Sequence, residues 1–287
     1  MGEAISKAVF FQPPSRSSYS SKTDFWVDKL IFVNEDFSIA QNIKSIPCLY
    51  CPYYYPNTKQ ISNKLLIFFH GTGNDIGQDH NYISEMRNHL QVTVLGVEYP
   101  GYGVYKGKPT PEGLQKDALI VYNFARQCLL YPAQDIIVIG LSMGTGPAAY
   151  LSSQVQFSLL VLLMPYMSWR DLAKDKASFV GNLVPEEYFN NFENIKKGQN
   201  NCKMLIIHGE KDELIPVKQS KQMENYFEEN QNIKFIFPSN MAHLWHDIYY
   251  HSIFPIKDFL HQHNIQSHSI SDEHSEYKLQ KFKERFF

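Results

Sequence analysis

Short apolar runs alternate with helical patterns through most of the chain, and this alternation constrains the fold more than any other feature. Strands that are apolar throughout, separated by amphipathic helices, predict βαβ units and a mostly parallel sheet covered by helices on both faces. Six runs follow this pattern: residues 64–69, 92–98, 135–141, 158–164, 203–208 and 233–237. Two earlier runs, residues 26–33 and 46–50, are expected to pair as antiparallel edge strands.

Five helical patterns lie between the strands: residues 82–90, 112–128, 143–153, 217–229 and 244–260. The second has a clear start signal, with Thr110 as N-cap and Pro111 at the first helical position. Pro255 falls inside the last pattern and is expected to kink or restart that helix, because proline cannot donate a backbone hydrogen bond.

A chain of 287 residues can bury the core of one α/β domain or be divided into two small ones. The sequence has no internal repeat, and the alternation favours one domain over residues 23–264. Residues 1–22 are predicted to be an N-terminal segment ending in a Pro/Ser-rich linker, residues 12–22. Residues 265–287 are predicted to be a charged tail with one short helix around residues 276–286.

The charge balance excludes one class of partner. Twenty-seven Lys and Arg against 29 Asp and Glu give a formal net charge of −2, so no nucleic-acid surface is expected.

Four cysteines are too few for a disulfide scaffold and suit a reducing compartment. No apolar run approaches the ~20 residues of a membrane-spanning helix, and the start lacks a basic signal-peptide region. We therefore expect a cytoplasmic protein.

The sequence Gly-Leu-Ser-Met-Gly at residues 140–144 joins a predicted strand to a predicted helix of small residues. This G-x-S-x-G pattern in a strand–turn–helix setting is typical of a nucleophile elbow. The turn is so sharp that Gly140 and Gly144 must lack side chains, and it projects the Ser142 hydroxyl above the sheet. A serine hydroxyl is a weak nucleophile, so Ser142 needs a base and an orienting acid.

The acid is expected after the strand at residues 203–208, because ligand chemistry in open α/β sheets occurs at the carboxyl ends of strands. Asp212 lies just past that end and is the preferred candidate, with Glu210 and Glu213 as competitors. The base is expected after the last strand. His243 is preferred there, and His246 is the alternative.

An oxyanion hole needs backbone N–H donors aimed at developing negative charge. One is expected from Met143, directly after the nucleophile. The other is expected from Thr72, in the His-Gly-Thr-Gly-Asn-Asp loop that follows the strand at residues 64–69. This chemistry requires no metal or organic cofactor.

Two further patterns are interpreted as structural. Cys48 and Cys51 form a single C-x-x-C in a strand-like run without a second pair to complete a zinc site. Four C-terminal histidines, His261, His263, His268 and His274, are assigned to a solvated tail. The 36 residues from Met167 to Cys202, between two strands, are too few for a large lid and predict a shallow, open site.

The chain resembles the α/β-hydrolase superfamily, and more narrowly the α/β-hydrolase-domain type 17 proteins with their plant and protist relatives. The resemblance covers roughly residues 7–262 and is carried by the segments at residues 70–78, 98–103, 109–114, 140–144 and 208–216 and by the region of His243. Those proteins are membrane-attached serine hydrolases that remove palmitate from cysteines. The resemblance therefore implies an α/β-hydrolase fold, an acylated protein substrate and acyl-protein thioesterase activity.

The mode of membrane attachment is expected to differ from the one used by that family. Its animal members carry an N-terminal cysteine cluster that is palmitoylated, whereas the first cysteine here is Cys48. Gly2 lies in a Met-Gly-Glu-Ala-Ile-Ser start that fits the loose myristoylation pattern, although Glu3 is unfavourable there. Peripheral association with the cytoplasmic face of a membrane through Gly2 is the corresponding expectation.

Other functions stay open at this point. A triad serves a general carboxylesterase, a lipase or a serine peptidase equally well, because acyl-transfer chemistry is shared. A function of another class, a non-enzymatic interaction protein within a larger assembly, is suggested by the 20 phenylalanines and 18 tyrosines.

Overall fold

The computed structural model describes residues 10–269, apart from residues 24, 26–27, 40–44, 177–180, 182–183 and 186–187. Its eight strands are β1 (Lys29–Val33), β2 (Ile46–Cys51), β3 (Leu65–Phe69), β4 (Thr93–Val97), β5 (Ile136–Leu141), β6 (Leu159–Leu163), β7 (Lys203–Ile207) and β8 (Ile233–Ile236). They form one sheet in the order β1-β2-β4-β3-β5-β6-β7-β8. The order in which strands are added to the sheet therefore reverses after β4. The strands β5 to β8 are added on the side of β3.

The sheet is parallel from β4 to β8, and β1 and β2 are antiparallel, as predicted. One detail of that prediction is wrong: β2 is not an edge strand, because it also pairs antiparallel with β4. All six residues of β2 are buried. Cys48 packs into the core on one face of the sheet and Cys51 into the core on the other, so the two thiols of the C-x-x-C cannot share a metal ion.

Seven α-helices flank the sheet in the described part of the chain. They are α1 (His80–Leu90), α2 (Pro111–Gln127), α3 (Thr145–Gln154), α4 (Trp169–Lys176), α5 (Asn191–Gly198), α6 (Lys218–Phe227) and α7 (Phe254–Gln262). Buried residues of α1 and α7 pack on one face, and those of α2 to α6 pack on the other. The predicted start of α2 is confirmed, since the Thr110 side chain accepts a hydrogen bond from the Gly113 N–H at 3.0 Å.

The inner strands, β2 to β7, are buried on both faces because their side chains alternate between two cores. In β3, Leu65, Ile67 and Phe69 face one core, and Leu66 and Phe68 face the other. Strands of this kind consist of continuous apolar residues, which is why they could be predicted from the sequence.

The last helical pattern is shorter than predicted. Residues 244–247 are irregular, a π-helical turn spans Tyr249–Ile253, and α7 begins at Phe254 with Pro255 in its first turn. The proline has no N–H to donate to the preceding turn, so the regular helix restarts there, as expected. His246 consequently lies in a loop and not one turn into a helix.

The described residues of the segment between β6 and β7 include two short helices that pack on the core. These are α4 and α5, and Trp169, Phe189 and Ile195 are buried in the core. Gly2, His274 and the helix predicted around residues 276–286 lie outside the described residues. No helix within the described residues has the length and apolarity needed to cross a membrane.

Candidate active site

Ser142 lies at the carboxyl end of β5 on a strained turn. It opens a 3-10 turn, Ser142–Gly144, and its φ of +51° is in the left-handed region that non-glycine residues rarely adopt. A Cβ at Gly140 would overlap the Gly144 carbonyl, and a Cβ at Gly144 would overlap the Phe69 carbonyl. The two glycines thus permit the close approach of β5, β3 and the turn, and the role of Ser142 as a nucleophile stays a prediction.

Side chains from two other elements hold this turn in place. The Thr145 hydroxyl donates to the Ser142 carbonyl at 2.6 Å, and the Tyr166 hydroxyl donates to the Met143 carbonyl at 3.1 Å. The Asn191 amide donates to Thr145 Oγ1 at 2.9 Å. These contacts stabilise a backbone conformation that the local sequence alone disfavours. Tyr166 and Asn191 belong to no recognisable motif, so this role could not be predicted from the sequence.

Ser142, His243 and Asp212 lie in one hydrogen-bonded line. His243 Nε2 is 2.9 Å from Ser142 Oγ, and His243 Nδ1 is 2.7 Å from Asp212 Oδ2. Because a carboxylate can only accept, Nδ1 carries the proton and Nε2 is left to accept from the serine hydroxyl. His243 is 9% exposed, and Ser142 keeps intermediate exposure, so a substrate carbonyl can reach its hydroxyl.

The Asp212 carboxylate is held in its ionised form. Burial alone would raise its pKa, but hydrogen bonds from His208, His243 and the Ile215 N–H outweigh burial and hold the pKa well below the usual 3.8. Oδ1 accepts from the backbone N–H groups of Leu214 at 2.9 Å and Ile215 at 2.7 Å. A carboxylate fixed on one side by the backbone can keep one imidazole tautomer in place on the other.

His208 is a second histidine on this carboxylate, and the sequence analysis missed it. Its Nε2 is 3.2 Å from Asp212 Oδ2 and 2.9 Å from the Ile215 carbonyl, and both are acceptors. Nε2 therefore carries a proton. Nδ1 lies 2.7 Å from the Ser220 hydroxyl, which completes the partners of a fully buried ring. A histidine directly before the acidic loop was the available signal.

The competing candidates have other partners. Glu210 pairs with Lys221 at the surface, at 2.9 Å. The Glu213 carboxylate accepts from the His243 backbone N–H at 3.0 Å, so it fixes the loop that carries His243 and does not contact the ring. His246 Nδ1 donates to the His243 carbonyl at 3.2 Å. Of the sequence candidates, only Asp212 and His243 are brought into line with Ser142.

The loop after β3 brings Thr72 to the same edge of the sheet. A Cβ placed on Gly71 would lie 3.8 Å from Ser142 Cβ, so this loop passes directly beside the serine. Within the described part of the chain, the Thr72 backbone N–H donates to no group. Tyr102 connects the two predicted donors: its hydroxyl is 3.1 Å from Thr72 Oγ1 and 3.9 Å from Met143 Sδ. The oxyanion role of Thr72 and Met143 stays a prediction with compatible geometry.

A buried contact between His70 and Glu98 supports this loop on its core side. His70 Nδ1 is 2.8 Å from the Gly71 carbonyl, and Nε2 is 3.0 Å from Glu98 Oε1, so both ring nitrogens face acceptors. Burial would lower the pKa of His70, but the hydrogen bond and charge of Glu98 outweigh it and raise the pKa above 6.5. Glu98 also accepts from the Ile76 N–H at 3.2 Å. The loop is thereby tied at both ends to one carboxylate.

One group of side chains in the described part of the chain has the composition of a metal site, but its contacts do not fit one. Donor atoms of Asp28, Cys51 and His80 lie within 4.8 Å of one another. Arg87 already pairs with Asp28, as does His80, and burial raises the pKa of the Cys51 thiol well above its usual value. Cys51 also pairs with Val94 near the amino-terminal end of β4, whereas Ser142 lies at the carboxyl end of the parallel strand β5.

Comparison with known proteins gives partial sequence matches. No protein-family model matches the chain. It is 31% identical over 156 residues to the α/β hydrolase domain-containing protein aho-3 of Caenorhabditis elegans, covering 54% of this chain and 45% of that protein. It is 28% identical over 163 residues to human α/β hydrolase domain-containing protein 17B, covering 56% of this chain and 52% of that protein. The match thus spans about half the length of these relatives.

Solved structures match the fold over most of the chain. An α/β hydrolase from Vibrio vulnificus superposes with a TM-score of 0.67 at 19% identity, covering 91% of this chain and 92% of that one. A Pyrococcus furiosus esterase gives a TM-score of 0.60 at 16% identity, with 88% and 99% covered. The predicted α/β-hydrolase fold is confirmed, and the sequence resemblance to the type 17 proteins is confirmed over the matched half.

Proposed function

We propose that this protein is a serine hydrolase. The chain has the α/β-hydrolase fold, and it is similar in sequence to the α/β hydrolase domain-containing 17 proteins. It cleaves esters or thioesters through an acyl-enzyme. The observation that carries this proposal is the line from Ser142 Oγ to His243 Nε2 at 2.9 Å and from His243 Nδ1 to Asp212 Oδ2 at 2.7 Å. A partly exposed hydroxyl, a neutral imidazole and an ionised carboxylate are the three groups that acyl transfer requires.

In the first half of the reaction, Ser142 Oγ attacks the substrate carbonyl carbon while His243 Nε2 takes the hydroxyl proton. The Asp212 carboxylate stabilises the resulting imidazolium. Backbone N–H groups of Thr72 and Met143 donate to the oxyanion of the tetrahedral intermediate. When this intermediate collapses, the bond to the leaving sulfur or oxygen breaks and the leaving group takes the proton from His243.

In the second half, water attacks the acyl-serine carbonyl and gives its proton to His243 Nε2. Collapse releases the carboxylic acid, and His243 returns the proton to Ser142 Oγ. Atoms and charge balance with water as the only co-reactant.

The substrate we propose is a fatty acyl thioester on a protein cysteine. The sequence resemblance supports it. So does the intermediate exposure of Ser142, which is compatible with access by an acyl group borne by a protein. Delivery to the cytoplasmic face of a membrane through Gly2 belongs to the same proposal. A general carboxylesterase would use the same residues and is separated from this function by substrate preference alone.

The test is labelling with a fluorophosphonate probe, comparing the wild type with Ser142→Ala and His243→Ala. We expect the wild type alone to label, and to hydrolyse acyl thioesters with a preference for long chains. A folded wild type that neither labels nor turns over any ester or thioester would overturn the proposal. Turnover of short esters only would instead favour a general carboxylesterase.

A further inference from the structure

The N-terminal segment, residues 10–19, runs along the loop that carries Thr72. The Thr72 hydroxyl donates to the Phe10 carbonyl at 2.6 Å and accepts from the Gln12 N–H at 2.9 Å. Farther along, the Ser18 N–H donates to Asp75 at 2.7 Å. The segment therefore contacts the loop at two points, one beside the predicted oxyanion donor and one at the loop's far end. Residues 12–22 have the composition of a linker, but residues 12, 18 and 19 are fixed on the domain by hydrogen bonds.

Aromatic packing holds the beginning of this segment. The Phe10 ring stacks on Trp169 with centroids 4.2 Å apart and planes 9° from parallel, and Phe11 meets the same indole edge-on at 5.0 Å. Both phenylalanines are buried and Trp169 is fully buried. The Phe10 carbonyl consequently has a fixed position relative to the core, and so does any group bonded to it.

The other anchor is buried as well. The Tyr19 hydroxyl donates to Glu98 Oε2 at 2.8 Å, and this carboxylate also holds His70 and the Ile76 N–H. The segment and the loop thus share one buried acceptor. Loosening the segment would disturb the loop at both ends.

Hydrogen-bond accounting at Thr72 shows what the segment does locally. A hydroxyl has one proton and two lone pairs. The proton goes to the Phe10 carbonyl, so Thr72 Oγ1 accepts from the Gln12 N–H and from the Tyr102 hydroxyl at 3.1 Å, and Tyr102 then has no proton for Met143 Sδ at 3.9 Å. All three positions are filled, which fixes the side-chain torsion and, through it, the backbone of Thr72.

We propose that residues 10–19 are a positioning element of the active site, in which the Phe10 carbonyl and the Gln12 N–H hold Thr72 so that its backbone N–H points at the substrate oxyanion. This inference rests on the proposed hydrolase function. Oxyanion donors act by being in place before the charge develops, so a donor free to turn away loses much of its effect.

The experiment compares Thr72→Val with Thr72→Ser in the full chain. Valine keeps the backbone N–H and the shape but removes the hydroxyl, whereas serine keeps the hydroxyl. We expect Thr72→Val to lower kcat for an acyl thioester by about 10- to 100-fold at nearly constant KM, since complete loss of an oxyanion donor costs about 10²- to 10³-fold. Thr72→Ser is expected to retain kcat within about threefold.

Phe10→Ala tests the segment itself, and Phe157→Ala is its matched control. Phe157 is equally a buried phenylalanine, but it lies just before β6, at the edge of the sheet opposite Ser142. We expect Phe10→Ala to lower kcat about tenfold, and Phe157→Ala to lower thermal stability without that loss when both are assayed below their melting temperatures. The double variant Phe10→Ala/Thr72→Val should be no slower than Thr72→Val alone.

Unchanged kcat in Thr72→Val, or multiplicative losses in the double variant, would overturn the inference while leaving wild-type turnover intact. Failure of the proposed function has a different signature, because the wild type itself would then neither label with fluorophosphonate nor turn over. Thermal melting of each variant shows whether a loss of kcat reflects unfolding.

Discussion

The two sides of Ser142 are constructed differently. On the acid–base side, Asp212 and His243 sit on the loops after β7 and β8, and their supports, His208 and Glu213, come from the same short stretch of chain as Asp212. On the oxyanion side, Thr72 is held by Phe10 and Gln12, about 60 residues away. The supports on one side thus lie beside Asp212 in the chain, whereas those of Thr72 come from a distant segment, so we expect substitutions on the two sides to fail in different ways.

The largest expected effect is on the acid–base side, from Asp212→Asn. An amide cannot hold the imidazole in the tautomer that accepts the serine proton, so we expect kcat to fall by about 10⁴-fold with little change in KM. Steady-state hydrolysis of an acyl thioester measures it. A loss smaller than tenfold would mean that another group orients His243.

On the oxyanion side, we expect substitutions to lower the free energy of unfolding before they affect kcat. Glu98→Gln removes the carboxylate that lies 3.0 Å from the buried His70 Nε2, and breaking a buried ion pair costs about 3–5 kcal/mol. The matched control is Glu85→Gln, which breaks a His89–Glu85 pair of the same chemistry but with side chains 42% and 52% exposed. Exposed pairs contribute below about 1 kcal/mol. Urea denaturation of both variants measures the difference, and equal costs would show that the buried pair does not support the fold.

The stability loss of Glu98→Gln is expected to depend on pH. Because the folded-state pKa of His70 is raised, the stability from this pair is fully present below the usual pKa of 6.5 and is lost as pH rises through the folded value. The free-energy difference between wild type and Glu98→Gln should therefore shrink as pH increases above 6.5. A difference that grows with pH would mean that His70 is neutral in the folded protein.

The smallest expected effect separates two neighbouring glutamates. Glu213→Gln weakens acceptors for the backbone of the His243 loop and should lower kcat about two- to tenfold, the range of one hydrogen bond. Glu210→Gln removes only a surface pair with Lys221 and should leave kcat unchanged. If both variants behaved alike, the local supports described for the acid–base side would not include Glu213.

The difference between the two sides also explains what the sequence could predict. The strands were recognisable because both faces are buried, and the elbow was recognisable because Gly140 and Gly144 are forced by close backbone approach. The order of Ser142, Asp212 and His243 followed from the strands before them. All of these signals are local.

Contacts between distant segments left no such signal. Nothing in the composition of residues 12–22 indicates that Ser18 and Tyr19 bond to buried carboxylates, and nothing marks Trp169 as the platform for Phe10. The end of the last helical pattern was recognised but its start was not, because periodicity alone does not show that residues 244–247 leave the helix to carry His243 over the sheet.

If Ser142 is the nucleophile, it carries the acyl group during turnover, and this acyl-enzyme can be trapped. Wild type and Ser142→Ala are mixed with excess long-chain acyl thioester, quenched in acid within seconds, digested, and the peptides weighed by mass spectrometry. We expect one acyl group on the Ser142 peptide of the wild type and none in the variant. Turnover with no adduct on that peptide, or an adduct on another residue that persists in Ser142→Ala, would contradict this role of Ser142.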